Sequence, residues 1–355
     1  LLLLGVDTLE FGIEIEDYES TFRPLLNTFR ELKEAAQEKG EEYEIEIDSL
    51  TLKVHGSGIR FYAYRLTCHD FIICFTEKEL QNNTPVTIRF MSSYLWSYSV
   101  SGALERFMKW FDGFGAQVVA TKISRADICV DTDEVSFVPS DGRGFVTRAK
   151  GRSRHGIDDE HSEGKVFTGF TIGRGQPMLA RIYRKMLEVK RSGKGWFYEL
   201  WALHGWEGDS EVWRVEFQLR RGVLKELGIM TVNDLLDNVD GVWSYCAGGW
   251  LTLRRPGSEA NVSRWKVKRK WGIVQSAKFR ELSSPLVREK VREGNLQQLM
   301  NQASGLAVSI AALGDHANLD TTLQSIGYWT EHRLSSKKTS FDGQKEARRS
   351  RFLKP

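Results

Sequence analysis

The stretch Ser124-Arg125-Ala126-Asp127-Ile128-Cys129-Val130-Asp131 decides how this chain is to be read. Side chains alternate sides along a β-strand, so Arg125, Asp127 and Asp131 share one face while Ala126, Ile128 and Val130 share the other. Two later stretches repeat the arrangement. Arg181-Ile182-Tyr183-Arg184-Lys185 sets Arg181, Tyr183 and Lys185 on one side. Arg214-Val215-Glu216-Phe217-Gln218-Leu219-Arg220 sets Arg214, Glu216, Gln218 and Arg220 against Val215, Phe217 and Leu219. The apolar sides can pack a core. The polar sides combine carboxylates, a tyrosine and guanidinium groups. Those are the parts a phosphodiester-cleaving centre needs: acids to hold a hard divalent cation, a hydroxyl nucleophile, and cations for the phosphate.

Tyr183 is the expected nucleophile, and Arg181 and Lys185 are the cations that would ease loss of its proton, ordinarily held to a pKa near ~10. Tyr198 is the substitute. Asp127 and Glu216 are the preferred metal ligands, with Asp131 third. Asp127 and Asp131 lie ~13 Å apart along a strand at ~3.3 Å per residue, so a single ion between them needs a bend. The competing expectation is that these acids pair with Arg125 or Arg214, because buried charges are usually paired.

The runs "SRADICVDT", "FTIGRGQPMLARIYRKMLEVKRSGKGW" and "VWRVEFQLRR" resemble the motif blocks of plasmid and phage rolling-circle replication initiators of the Rep_trans type, whose relatives include relaxases of integrative conjugative elements. The resemblance covers roughly residues 85 to 230. It implies an α+β fold, an antiparallel-rich sheet with helices on one face (an RRM/ferredoxin-like nicking core), and a helical C-terminal region. It also implies that Tyr183, with Lys185 and Glu188 completing the motif, attacks a DNA phosphate and stays joined to the new 5′ end. Mg²⁺ or Mn²⁺ would be the cofactor, and Arg181, Lys185 and Arg214 would neutralise charge on the phosphoryl oxygens. No His-hydrophobic-His motif exists, so acids would have to hold the metal.

The 355 residues leave room for two domains. The boundaries expected are an α+β nicking domain at 1–230, a helical, basic DNA-contacting region at 231–332 and a basic flexible tail at 333–355. The net charge of +3 does not announce a nucleic-acid binder, but its distribution does. Residues 251–280 carry nine basic side chains against one acid, Glu259, and Trp250, Trp265 and Trp271 interleave with these cations. Cations follow a phosphate backbone and aromatic faces can stack bases. Arg254, Arg255, Lys266, Lys268, Arg269 and Lys270 are therefore expected to contact DNA, together with Arg125 and Arg220 beside the site.

Cys68, Cys74, Cys129 and Cys246 show no Cys-x-x-Cys spacing, which argues against a disulfide scaffold or structural zinc and suits a reducing cytoplasm. The opening Leu1 to Leu4 is too short for a membrane span and reads as a strand, and the missing initiator Met means the numbering need not begin at the native start. Strands are expected at Tyr43–Ile47, Thr51–His55, Ile59–Cys68, Phe71–Phe75 and Val86–Phe90, and helices at Thr21–Lys39 and Tyr94–Phe114. Residues 139–165 read as a mobile loop or hairpin, with His155 and His161 as solvated loop residues. Residues 286–313 and 319–329 read as helical. No Walker motif is present, so strand separation implies a host helicase as partner, alongside origin DNA (a single-stranded or cruciform nick site) and a homo-oligomer. Two rival functions fit the same acids: a metal-dependent polymerase or primase, and a non-enzymatic DNA-binding protein.

Overall fold

The computed structural model describes residues 1–149, 151–158, 165–175, 177–279, 303–304, 306–336 and 339–345. The chain forms two compact units, Leu1–Pro285 and Leu286–Pro355. The first is built on one eleven-stranded sheet in which every pairing is antiparallel. This is the α+β, antiparallel-rich fold expected from the sequence.

At the centre lies β1 (Leu2–Ile15), flanked by β6 (Val86–Phe90) and β7 (Val118–Thr132). On the β6 side the sheet continues through β5 (Phe71–Phe75), β4 (Tyr64–Thr67) and β3 (Leu50–Val54) to β2 (Tyr43–Ile47). On the β7 side it continues through β12 (Trp213–Arg220), β11 (Met178–Arg184) and β10 (Lys165–Gly173) to the edge strand β9 (Arg152–Asp158). The three stretches quoted at the outset are thus adjacent strands. Their register sets Asp131 opposite Arg214 and Arg214 opposite Tyr183, with Arg181 opposite Glu216 one step along.

The apolar faces of these strands point to one side and bury a continuous core. Phe11 of β1 and Phe75 and Phe90 of the β2-to-β6 half pack against α1 (Tyr18–Lys39) and α2 (Ser92–Asp112) through Phe22, Phe29 and Phe107. The opposite, polar face is roofed at one end by α3 (Lys185–Ser192) and α4 (Trp196–Leu203), where Phe197, Leu200 and Trp201 are buried. Past β12 the chain turns through the short α5 (Arg221–Glu226), which buries Val223 and Leu224, into α6 (Val232–Ser244) on the core side. There Phe217 packs on Trp243 of α6 and on Trp250. A small second sheet of β8 (Phe145–Thr147) and β13 (Leu251–Leu253) lies on the same side, with Phe145 against Phe170 and against Trp271 of α7 (Arg269–Gln275). Each such ring contributes roughly 1.5–3 kcal/mol by burial.

Several expected boundaries shift. The strand expected at Ile59–Cys68 shortens to Tyr64–Thr67, because Ile59 and Tyr62 close a tight turn through paired backbone bonds. Within the segment expected as a loop or hairpin, a 3₁₀ turn at Pro139–Arg143 is followed by β8 and β9, and β9 with β10 makes the expected hairpin. Lys185 closes the strand pattern and opens α3, where the sequence reads as passing into a helix from Lys185 to Arg191. In the second unit Leu319–Ser336 is helical, and the exposed Tyr328, Trp329 and Leu319 give it an uncovered apolar surface. Arg280, His161 and most of the stretch expected to be helical at 286–313 lie outside the described residues, as do 346–355 of the expected tail.

Candidate active site

The site begins with a defect in β1. Leu2, Leu4 and Val6 follow one alternation, whereas Leu9, Phe11 and Ile13 follow the other, and the register against β7 slips between Val6 and Thr8. The extra residue is Asp7. A bulge re-aims a side chain, and this one delivers Asp7 to the polar face. There Asp7 Oδ1 accepts from Ser92 Oγ (2.8 Å), Trp96 Nε1 (3.1 Å) and Arg214 Nη1 (2.6 Å). Asp7 is not among the residues expected at the site. The break in apolar phase is the sequence signal that marks it.

Trp96 reaches Asp7 because α2 is interrupted at Ser99, whose backbone leaves the helical region (φ 63°) and whose hydroxyl accepts from Gly102 N–H to restart the helix. Its indole lies on Gly5. A β-carbon there would sit 2.2 Å from Trp96 Cη2, so only glycine permits the approach.

Beneath the site is a sealed ionic layer. Arg214 and Asp131 are both 0% exposed. Arg214 Nε and Nη2 donate to the two Asp131 oxygens at 2.5 and 2.8 Å, and Trp201 Nε1 donates to Asp131 Oδ2 at 2.9 Å. Burial alone would depress the charge on each member. Asp131 and Asp7 nevertheless hold the Arg214 guanidinium protonated, and Arg214, Lys185 and Lys194 hold the Asp7 carboxyl well below the usual carboxylate range.

Above that layer opens a cavity of about 500 Å³. Seven cationic side chains line it (Arg89, Arg125, Arg181, Arg184, Lys185, Arg191, Lys194) against four carboxylates (Asp7, Asp127, Glu188, Glu216), so its walls suit a polyanion. Tyr183 is on the wall and half-buried, and its hydroxyl donates to Glu216 Oε2 at 3.1 Å. Arg181 Nη1 donates to the other oxygen, Oε1, at 2.8 Å. Burial and the neighbouring Glu216 charge push the Tyr183 phenol well above its ordinary value. Lys185 is enclosed, donating to Glu188 Oε2 at 2.5 Å and lying over the Phe197 ring. Gly169, opposite Tyr183 in β10, adopts φ +154°, and a β-carbon there would meet Ile182 O at 2.1 Å.

Asp127 lines the same cavity, gripped by Arg125 through Nε (2.7 Å) and Nη2 (2.5 Å). Burial raises its carboxyl to about 6, with Glu216 adding to the effect and Arg125 opposing it. Arg125 also bonds Glu10, and Arg220 approaches Glu10 at 3.5 Å. Among the described residues no group of three or more His, Cys, Asp or Glu side chains is arranged to hold a metal ion. Mg²⁺, however, commonly takes only one or two carboxylates and fills its shell with water and substrate phosphate. The oxygens of Asp127, Glu216 and Asp131 all have protein partners, but Asp127 and Glu216 border the open cavity, where an ion could displace Arg125 or Arg181 and fit that habit, whereas Asp131 is enclosed with Arg214 and Trp201 away from it.

Tyr183, Lys185, Arg181, Asp127, Glu216 and Arg125 therefore come together, while Arg214 lies below them as their support. Tyr198 packs against Trp201 and Trp206 and is not among the cavity-lining residues. His155, expected as a loop residue, is on β9, lines the cavity and hydrogen-bonds Thr171 Oγ1 at 2.8 Å. The basic segment is on the other side of the sheet, with the core aromatics Trp271 and Phe145. Within it Lys268 and Lys270 clamp the buried Asp141 at 2.7 and 2.5 Å, and Arg254 donates to Thr252 and to the Trp265 carbonyl. Arg255, Lys266 and Arg269 are exposed.

No protein-family model matches the chain, and no curated protein matches it. Among solved structures the chain is similar to a rolling circle replication initiator protein from Geobacillus stearothermophilus. The two share 16% identity over 79% of this chain and 99% of the other, with a TM-score of 0.45. Among the described residues no helix is long and apolar enough to cross a membrane.

Proposed function

We propose that this protein nicks and rejoins one DNA strand through a 5′-phosphotyrosyl intermediate on Tyr183, as a replication initiator or relaxase of the rolling-circle type. The observation that carries the proposal is the Tyr183 hydroxyl, bonded to a carboxylate on the wall of a cavity dominated by cations. The motif resemblance in the same three strands supports it.

In the proposed reaction the Tyr183 oxygen attacks phosphorus. Its proton passes to Glu216, already within hydrogen-bond reach. A bond forms between the tyrosine oxygen and phosphorus, the bond to the 3′ oxygen breaks, and that oxygen leaves with the electron pair and takes a proton from water. Rejoining runs the same steps in reverse: the 3′ hydroxyl gives its proton to water as it attacks phosphorus, and Glu216 returns its proton to the departing Tyr183 oxygen. Arg181 and Lys185 offset the charge that gathers on the phosphoryl oxygens. A Mg²⁺ or Mn²⁺ ion on Asp127 and Glu216 would polarise the scissile phosphate. Arg214 orients Asp7 and the floor of the cavity from below, without touching substrate. A DNA origin, a host helicase and a second copy of the chain complete the proposed setting, in the cytoplasm.

The test is denaturing electrophoresis of the protein incubated with a labelled single strand and Mg²⁺ or Mn²⁺. Wild-type protein should form a covalent adduct, and Tyr183→Phe should lose it while binding the strand with unchanged affinity. Extension of a primer from nucleoside triphosphates would establish the polymerase alternative, and binding with neither product the non-enzymatic one.

A further inference from the structure

The edge strand β9 divides its side chains between two faces. His155 points to the Tyr183 cavity, whereas Arg152 and Arg154 are paired in register with Ile172 and Phe170, whose side chains belong to the opposite, core-bearing face. There a second groove of about 290 Å³ is lined by Arg143, Arg152, Arg154, Ser153, Phe145 and Phe170, among others. Its three guanidinium groups are exposed, and none has a carboxylate partner among the described residues. Among the described residues no acid lines the groove, and the nearby Asp141 is neutralised by Lys268 and Lys270. Among the described residues β9 has no strand on its outer side, so its outward backbone N–H groups also face an incoming anion.

We infer that this groove is a phosphate-binding subsite for the DNA strand that runs past Tyr183, a proposal resting on the nicking function above. Arg154 of the groove and His155 of the cavity are consecutive residues of β9, with side chains on its two faces. A flexible single strand leaving the cavity therefore needs to pass over the width of only one strand to reach three arginines that have no carboxylate partner among the described residues. An acidic protein segment would meet the same charge. The continuity with the catalytic cavity favours the nucleic-acid backbone.

The experiment compares wild type with the triple variant Arg143→Gln, Arg152→Gln, Arg154→Gln, and with the charge-preserving Arg→Lys triple. Anisotropy titrations over a salt series would use one oligonucleotide short enough to fill only the cavity and another extended on both sides of the nick. The short strand should bind all three proteins alike. The long strand should bind the Gln variant at least tenfold more weakly, with its salt slope reduced by up to ~2, at ~0.7 for each phosphate of a single strand that is no longer neutralised. The Lys variant should recover the slope. Equal affinity and equal slope for the long strand in wild type and Gln variant would overturn the subsite while leaving Tyr183 untouched. Loss of short-strand binding in the folded Gln variant would overturn it too, because the arginines would then belong to the cavity. Failure of wild type to form an adduct, with the long-strand difference intact, would instead remove the nicking proposal and leave a DNA-binding groove.

Discussion

Replacing Asp131 by Ala separates a structural from a metal-binding role for this acid. In the folded protein both its oxygens are occupied by Arg214 at 2.5 and 2.8 Å and by Trp201 at 2.9 Å, with no exposure to solvent. Removing one partner of a buried ion pair leaves an uncompensated charge, at a cost of about 3–5 kcal/mol. Trp201 Nε1 would lose its acceptor as well, about 1–3 kcal/mol more where no water replaces it. Asp7 still touches Arg214 at 2.6 Å and returns part of the loss, so the lower half of the range is expected. For a unit of this size each kcal/mol moves the melting temperature by roughly 2–4 °C, which makes the drop about 10 °C. Asp7→Asn should cost less, because its amide oxygen keeps the Ser92 and Trp96 bonds and Arg214 keeps both Asp131 oxygens. Calorimetric melting of the three proteins in chelator decides the matter. Asp131→Ala melting within about 2 °C of wild type, the low end of the shift expected per kcal/mol, would refute the reasoning, as would Asp7→Asn proving the more damaging change. A folded Asp131→Asn protein that had lost Mn²⁺ binding would return Asp131 to the metal.

Two further outcomes follow from the charges. Asp127 titrates near 6 in the fold against 3.8 when free, so ionising it costs the folded state. That cost is absent below about pH 4, grows as pH rises and is complete above about pH 6, where it reaches about 3 kcal/mol. The melting temperature of Asp127→Asn should therefore gain on wild type between about pH 4 and about pH 6 in metal-free buffer and hold that gain above it, and parallel curves would show that Arg125 already offsets the cost. In the basic segment, Lys268→Ala with Lys270→Ala should lower stability by about 3–5 kcal/mol by stranding Asp141, whereas Lys266→Ala with Arg269→Ala should leave the melt unchanged. The Asp141 carboxyl is buried yet held below its usual range by the two lysines, so its contribution stands above pH 3.8 and disappears on acidification; an identical melt for both double variants would remove the clamp.

The sequence made the three central strands legible because each carries an unbroken period-two pattern, and their polar faces did converge on one cavity. What it hid has physical reasons. The bulge at Asp7 changes which face a residue meets, and a period-two count carried straight through Val6 to Leu9 loses it. That Lys185 begins a helix is readable, but the burial of its ammonium against Glu188 and Phe197 depends on how α3 and α4 pack, which no strand or helix period carries. The count of nine cations in residues 251–280 could not distinguish Lys268 and Lys270, consumed by a buried acid, from Lys266 and Arg269, which face water. His155 reads as a loop residue because the Gly-, Ser- and Arg-rich composition of its segment resembles a loop. An edge strand with one partner and one open side can be polar along its whole length, and β9 is one.

The site is best understood as two electrostatic layers of different purpose. In the lower one, packed beneath Trp96, Trp201 and Phe197, Arg214 is shared between Asp131 and Asp7, so it fixes geometry, and only Asp7 borders the cavity. The upper one, Tyr183, Glu216, Arg181, Asp127 and Arg125, is bonded among its own members and, through Arg125, to Glu10, and faces open space. Every acid there is held by a guanidinium group that could turn to a phosphate instead. Tyr183 keeps its proton in this resting arrangement, because burial and the Glu216 charge both oppose a phenolate. An incoming phosphodiester that draws Arg181 away would leave Glu216 with one oxygen free, and so a better acceptor for the Tyr183 proton. In the reaction we propose, Tyr183 is then idle without DNA and gains its base when the strand arrives. A tyrosine exposed to solvent with no carboxylate beside it could not make that distinction.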